Sequence, residues 1–174
     1  MTKKKNYVDK EKFLNALAAY KKKCEGLKAS EKPVIPDYIG VCIRDIAHGV
    51  AKNKNFSNYP FKEEMIEDGI ENCFRYIDNF DPENAAKNPF GYFTQIIYFA
   101  FLRRIDREQK ELYTKFKIIQ QGHNPDNYAV QSNDDTTYGN DVGGFGYSDD
   151  YMNDFIRNYE AKLERKKNKV KEKE

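Results

Sequence analysis

The chain has 174 residues, room for one domain of ordinary size but not for two full enzymatic domains. Lys and Arg total 30 against 28 Asp and Glu, a formal net charge of +2, which excludes a uniformly basic nucleic-acid coat and makes the distribution of charge the informative quantity. Hydrophobic residues make up 39% and mean hydropathy is −0.91, so the core has to be regional; 13 Tyr and 12 Phe are many rings for so polar a chain.

In chain order, Asp9 to about Gly26 carries Phe13, Leu14, Leu17, Ala18 and Tyr20 at helical spacing among lysines, an amphipathic helix stopped near Gly26. Pro33 to Pro36 is a turn. A second helix is predicted from Asp37, a good N-cap, with Ile39, Val41, Cys42, Ile43, Ile46, Ala47 and Val50 forming a broad apolar stripe for the core. Asn53 to Pro60 is a polar loop carrying Phe56 and Tyr59. The third helix runs from Phe61 to about Phe80, with Met65, Ile66, Ile70, Cys73, Phe74 and Ile77 on its inner side, and Asp81-Pro82 ends it.

After a short loop from Glu83, Pro89 sits in the first turn of a fourth helix, about Phe90 to Phe116. Its first half is apolar around almost the whole circumference; its second half carries Arg103, Arg104, Arg107, Lys110, Lys115 and Lys117. From Ile118 to Ile156 there is no Lys or Arg, while Asp126, Asp134, Asp135, Asp141, Asp149, Asp150 and Asp154 accumulate among Gly, Asn and Ser, the composition of a flexible acidic linker. Asp149 to Val170 reads as a capped amphipathic helix with a lysine-rich end. No strand pattern of any length precedes Ile118, and the expected class is all-α. The expected organisation is a helical domain over 7–120, an acidic linker over 121–148 and a C-terminal basic helix over 149–174.

Catalytic and metal signatures are missing. There is no Gly-rich phosphate loop, no HExxH and no nucleophile elbow. Glu63 and Glu67 stand one turn apart without a histidine or a third orienting group, and read as a solvated helix face; His48 and His123 are not placed as ligands. Cys24, Cys42 and Cys73 form no CxxC and have no neighbouring His pair, so reduced cytosolic thiols are expected, with no metal and no cofactor. The basic start Met1–Lys5 is followed by polar residues, and no run approaches the ~20 apolar residues of a membrane span. The expectation is a soluble intracellular protein that is not an enzyme.

Two surfaces stand out. The third helix carries Glu63, Glu64, Glu67, Asp68, Glu71 and Asp78 against Lys62 and Arg75, and Glu64, Glu67, Asp68 and Glu71 share one side, where like charges repel. Two readings are open: a basic partner docks there, or the face is merely solvated. On the fourth helix, at 100° per residue, Tyr92, Ile96, Phe99, Arg103, Arg107 and Lys110 lie on one side, beside a stripe of Phe93, Ile97, Ala100 and Arg104. Rings leading into Arg and Lys suit unstacked bases followed by phosphates, since base–aromatic stacking contributes roughly 1–3 kcal/mol per base and basic side chains neutralise the backbone. The alternative is that the rings are core and the arginines solvated.

The residues from Glu64 to Phe80, then Asn88 to Arg104, in that order, resemble the central helical domain of bacterial sigma factors: an acidic helix ending in an Asp-x-Phe-type motif, a short loop, and an aromatic helix opened by Phe90 and Tyr92-Phe93. More closely, Asn53–Tyr59, Met65–Gly69, Asn79–Asp81, Lys87–Pro89 and Thr94-Gln95 resemble the late-transcription sigma factors of T-even-type bacteriophages. The resemblance covers roughly Tyr7 to Ile119. It implies a compact helical bundle whose acidic helix, through Glu64, Glu67, Asp68 and Glu71, binds the clamp helices of the largest subunit of host RNA polymerase. It implies further that the fourth helix recognises and melts an AT-rich promoter element just upstream of the start site. The non-template strand would splay over Tyr92, Phe93, Gln95, Ile96 and Phe99, and Arg103, Arg104, Arg107 and Lys110 would track phosphates. Primary sigma factors usually carry a Trp pair where Ile96-Ile97 stand here, and a base-reading Gln where Ala100 stands.

The length leaves no room for the helix-turn-helix domain of primary sigma factors. Phage late sigma factors similarly lack it and touch the DNA sliding clamp through a hydrophobic C-terminal segment, for which Tyr151, Met152, Phe155, Ile156 and Tyr159 are the candidates here. A late-transcription coactivator is a further implied partner, and the implied location is the cytoplasm of the infected bacterium. The competing expectations are a polymerase-binding adaptor or inhibitor that never contacts DNA, a plain single-strand-binding module, and, for the terminal helix, packing back on the domain or contact of its basic run with upstream DNA.

Overall fold

The computed structural model describes residues 8–83, 88–121 and 147–171. Among them are five α-helices and no strand: α1 (Lys10–Cys24), α2 (Asp37–Ala51), α3 (Lys62–Arg75), α4 (Pro89–Gln120) and α5 (Asp149–Lys171). The all-α class is therefore observed. The acidic stretch over 122–146, with His123, and Lys87 lie outside the described residues. The chain divides into two compact units, Met1–Ile105 and Asp106–Glu174. That boundary falls inside α4.

In the first unit, α1 starts because the Asp9 carboxylate accepts from the amides of Glu11 (3.1 Å) and Lys12 (3.2 Å), satisfying two of the orphan donors of the first turn. It stops before Gly26, whose φ of +75° is a conformation that residues with a Cβ rarely adopt. Phe13, Leu17, Tyr20 and Cys24, spaced by four, three and four residues, fall on its buried side. In α2 the same logic buries Ile39, Cys42, Ile43, Ile46, Ala47 and Ala51. Val41, expected in that stripe, stays exposed.

The third helix ends at Arg75, five residues earlier than its periodicity suggests, and a 3₁₀ turn over Ile77–Asn79 follows. The tighter winding aligns side chains three residues apart, and both Ile77 and Phe80 point into the core as a result. Helices α3 and α4 approach closely at Gly69. A Cβ there would stand 3.1 Å from Phe101 Cε1 and 3.2 Å from Ile97 Cγ2. The core of this unit is built on fully buried Phe13, Phe56, Phe80, Phe93 and Phe101 with Ile39, Ile43, Ile46, Met65 and Ile97. Each such side chain contributes about 1.5–3 kcal/mol through removal from water.

The second unit is an antiparallel pairing of α5 with the 106–120 part of α4. Lys162 meets Asp106 at 2.9 Å, the Tyr113 hydroxyl donates to Glu160 at 2.9 Å, and Gln120 donates to Asn153 at 3.1 Å, so the partners run in opposite directions. Phe116, fully buried, receives Tyr147, Tyr151 and Phe155 edge-on at 5.3, 6.1 and 5.4 Å between centroids. Tyr113 stacks on Tyr159 at 4.7 Å. Edge-to-face and stacked rings of this kind add about 0.5–1.5 kcal/mol per pair beyond their buried area.

Candidate functional site

The acidic side of α3 is split by its surroundings. Glu63, Glu64, Glu67 and Glu71 are exposed, whereas Asp68 is half-buried and turned toward α4. Its Oδ2 lies 3.4 Å from Arg104 Nη1, and the two side chains are 26% and 20% exposed. Glu71 pairs with Arg75 one turn on, at 2.6 Å, on the open surface where such a pair adds little to stability. The outward-facing charge that a partner can meet is therefore that of Glu63, Glu64 and Glu67, with Glu71 partly neutralised. Asp68, one of the expected docking residues, ties the two helices together.

The sequence reading put Phe74 on the inner side of α3. It is 37% exposed and lies seven residues after Glu67, on the same side of the helix. With Val34, Pro36, Gly40, Val41 and Arg44 it borders a shallow hollow of about 540 Å³. The acidic face thus runs into an apolar edge. The only trace of this in the sequence is Gly40, which leaves room for the Phe74 ring, with Cζ 3.9 Å from where a Cβ would sit.

On α4 the described positions rotate the expected contact stripe. Phe93 is 0% exposed and packs on Phe13 (5.5 Å) and Phe80 (6.0 Å), so its ring is core and is not offered to a strand in this conformation. Ile97, Ala100 and Phe101 are buried beside it. Tyr92 and Ile96 are half-buried against the core. The Tyr92 hydroxyl donates to the Tyr76 carbonyl at 3.0 Å, and burial, then the neighbouring Cys73, pushes its phenol above the ordinary value. Outward stand Gln95, Tyr98, Phe99, Leu102 and Arg103, with Tyr98 39%, Phe99 48% and Leu102 38% exposed. Two of these, Tyr98 and Leu102, were not expected at the site.

The exposed rings are held from behind. Tyr98 sits edge-on to the buried Phe56 at 5.4 Å, and Phe99 edge-on to Tyr98 at 6.0 Å, so the pair has a fixed mutual angle of 76°. Beside them Arg103 Nη2 donates to Asn72 Oδ1 at 3.0 Å. Asn72 is itself oriented by donating to the Asp68 carbonyl at 2.7 Å. A rigid apolar ring pair next to a positioned guanidinium can take a base on its π-face and a phosphate on its charge. Arg107 and Lys110 are exposed in the second unit.

The terminal-helix rings expected for a sliding clamp are largely occupied within their own unit. Ile156 is buried, and Phe155, Met152 and Tyr159 are half-buried against the α4 segment; Tyr151 keeps the largest exposure. Of the two expectations for this helix, these contacts are the ones that packing back on the chain calls for: Phe116 and Tyr113 give its rings an apolar partner.

Among the described residues no group of His, Cys, Asp and Glu is arranged to hold a metal ion, and no helix is long and apolar enough to cross a membrane. Comparison with the models of known protein families and with the curated proteins finds no match to this chain.

Proposed function

We propose that the chain is a sigma-type factor: it docks on a bacterial RNA polymerase core through the acidic side of α3 and opens an AT-rich promoter element by capturing unstacked bases on α4. The observation that carries this reading is the juxtaposition, within one unit, of outward Glu64 and Glu67 on α3 with the outward ring pair Tyr98–Phe99 on α4, the two helices joined through Asp68–Arg104 and Asn72–Arg103. The resemblance to phage late sigma factors supplies the host polymerase and the late promoter. Unstacking a base costs a few kcal/mol, which stacking on exposed rings and neutralisation of phosphates offset. No catalytic step belongs to the chain itself.

The strand-contacting set becomes Gln95, Tyr98, Phe99, Leu102 and Arg103, with Tyr92 and Ile96 at its edge; Arg104 acts by joining α4 to α3. No sliding-clamp or coactivator contact is included, because the rings of α5 face Phe116 and Tyr113. The test keeps Asp68 intact. Glu64→Lys with Glu67→Lys is expected to abolish co-purification with core polymerase while the fold, read by circular dichroism, is unchanged. Full retention by that variant overturns the docking assignment. The second reading, a polymerase-bound adaptor or inhibitor that leaves DNA alone, is favoured by one observation: Arg103 and Arg104 already have side-chain partners on α3.

A further inference from the structure

From Ile46 to Lys62 the chain carries Lys52, Lys54, Lys62 and His48 and no Asp or Glu, in a protein where acids nearly equal bases. Lys52 and Lys54 are exposed and Lys62 half-exposed. None of the three makes an ion pair among the described residues. The loop between α2 and α3 is nevertheless ordered from within. Phe56 and Ser57 donate their amides to the Asn53 carbonyl at 2.8 and 3.0 Å, and the Asn55 amide to Asn53 Oδ1 at 3.2 Å. Its Phe56 ring is seated edge-on against Tyr98 (5.4 Å) and Phe101 (5.2 Å) of α4. One aromatic side chain thus pins an unpaired basic loop to the back of the exposed ring pair.

Where the loop meets α3, Lys52, Lys62, His48 and Ser57 line a hollow of about 250 Å³ together with Glu63, Ala51 and Ile66. Two lysines, a histidine and a serine outnumber the single Glu63 carboxylate there, a balance that suits one backbone phosphodiester, which offers acceptor oxygens and one negative charge together. Unlike the apolar surface of Tyr98 and Phe99, the hollow offers no exposed ring for a base. The two features are complementary halves of one polymer: bases for the rings, backbone for the lysines.

We infer that the α2–α3 loop, through Lys52, Lys54 and Lys62, binds the sugar–phosphate backbone of the same single strand whose bases stack on Tyr98 and Phe99. This rests on the strand-capture reading above and extends it to residues that neither the charge of α4 nor its rings would indicate. Phe56 is the positioning residue, fixing the loop with respect to the ring pair.

The test uses the full chain assembled on core RNA polymerase and a fluorescently labelled AT-rich single-stranded oligonucleotide, titrated across a salt series. The variant Lys52→Gln/Lys54→Gln/Lys62→Gln is expected to bind the strand more weakly and to lower the magnitude of the log K against log salt slope by about 2, at roughly 0.7 per phosphate contact on a single strand. The ring variant Tyr98→Ala/Phe99→Ala is expected to weaken binding about tenfold or more while leaving that slope in place. Unchanged affinity and slope in the lysine variant, with loss in the ring variant, overturns the loop assignment alone. No strand binding by the assembled wild-type chain, or unchanged binding in both variants, overturns the strand-capture reading with it. Failure of the lysine variant to join the polymerase assigns the loop to the protein partner and also overturns the inference.

Discussion

Arg104 and Asp68 face each other across α4 and α3 at 3.4 Å, each about three-quarters or more covered, so an arginine expected for DNA and a carboxylate expected for polymerase hold one another. With Arg103 on Asn72 at 3.0 Å, this fixes the angular relation of the two candidate surfaces. A double-mutant cycle with Asp68→Ala and Arg104→Ala measures the pair directly. The coupling expected at this length and exposure is roughly 1 kcal/mol, read from urea unfolding. Strict additivity of the two single variants would mean that the pair is incidental to the fold.

The close approach at Gly69 gives a second expectation. Adding a methyl there places it 3.1–3.2 Å from Phe101 and Ile97, both of them fully buried in a close-packed core. Gly69→Ala should therefore destabilise the protein by about 1–3 kcal/mol, even though alanine is the better helix former. A rise in melting temperature on this substitution would show that the two helices do not meet here.

For the second unit, Phe116→Ala removes the ring on which Tyr147, Tyr151 and Phe155 converge. A loss of about 3–5 kcal/mol is expected, seen as collapse of amide protection in α5. The pairing should also be acid-sensitive. Hydrogen bonding and charge from Lys162, reinforced by Lys166, hold the Asp106 carboxyl below its ordinary value, and Lys117 with the Tyr113 hydroxyl does the same for Glu160. Depressed carboxylates stabilise the folded state at neutral pH. That contribution is lost as pH falls below the ordinary carboxylate range toward the depressed values. Tyrosine near-ultraviolet circular dichroism should decay in that window, and less so in Asp106→Asn.

Cys73 offers a test of the α3–α4 core. Burial pushes its thiol from an ordinary 9.0 up to about 12, with Sγ 3.9 Å from the Phe93 carbonyl. The folded state therefore keeps this proton where the unfolded chain has lost it, so stability should fall as pH rises from about 9 toward 12. At pH 8 the native protein should resist a thiol reagent at Cys73 and react fully once unfolded. Rapid labelling of native Cys73, identified by peptide mapping, would contradict the packing described.

Much of this architecture is legible in period and punctuation. Asp9, Gly26, Asp37 and Pro89 mark helix ends within a residue or two, because capping and backbone restriction act locally. Facing directions are less legible where an aromatic residue can satisfy either side. Phe93 and Phe99 are six residues apart on one helix and look alike in sequence, yet one is sealed by Phe13 and Phe80 while the other is open, a difference set by chain segments 13–80 residues away. The period places Phe74 and Val41 inward, yet both stand outward beside a hollow bordered by α2 and α3. The division of the chain inside α4 lies close to the change from apolar to basic residues at Arg103. It arises because α5 returns to cover Phe116, and the apolar side of the terminal helix is the part of that pairing legible in the sequence.

The most direct measurement is transcription by bacterial core polymerase on a supercoiled AT-rich template, with and without the full chain, combined with permanganate detection of unpaired thymines. New start sites with unpaired thymines just upstream are expected only when the chain is present, and Tyr98→Ala/Phe99→Ala should join the polymerase yet leave the template closed. Loss of existing transcripts without any new start, or a template opened equally well by the ring variant, would contradict strand capture on α4.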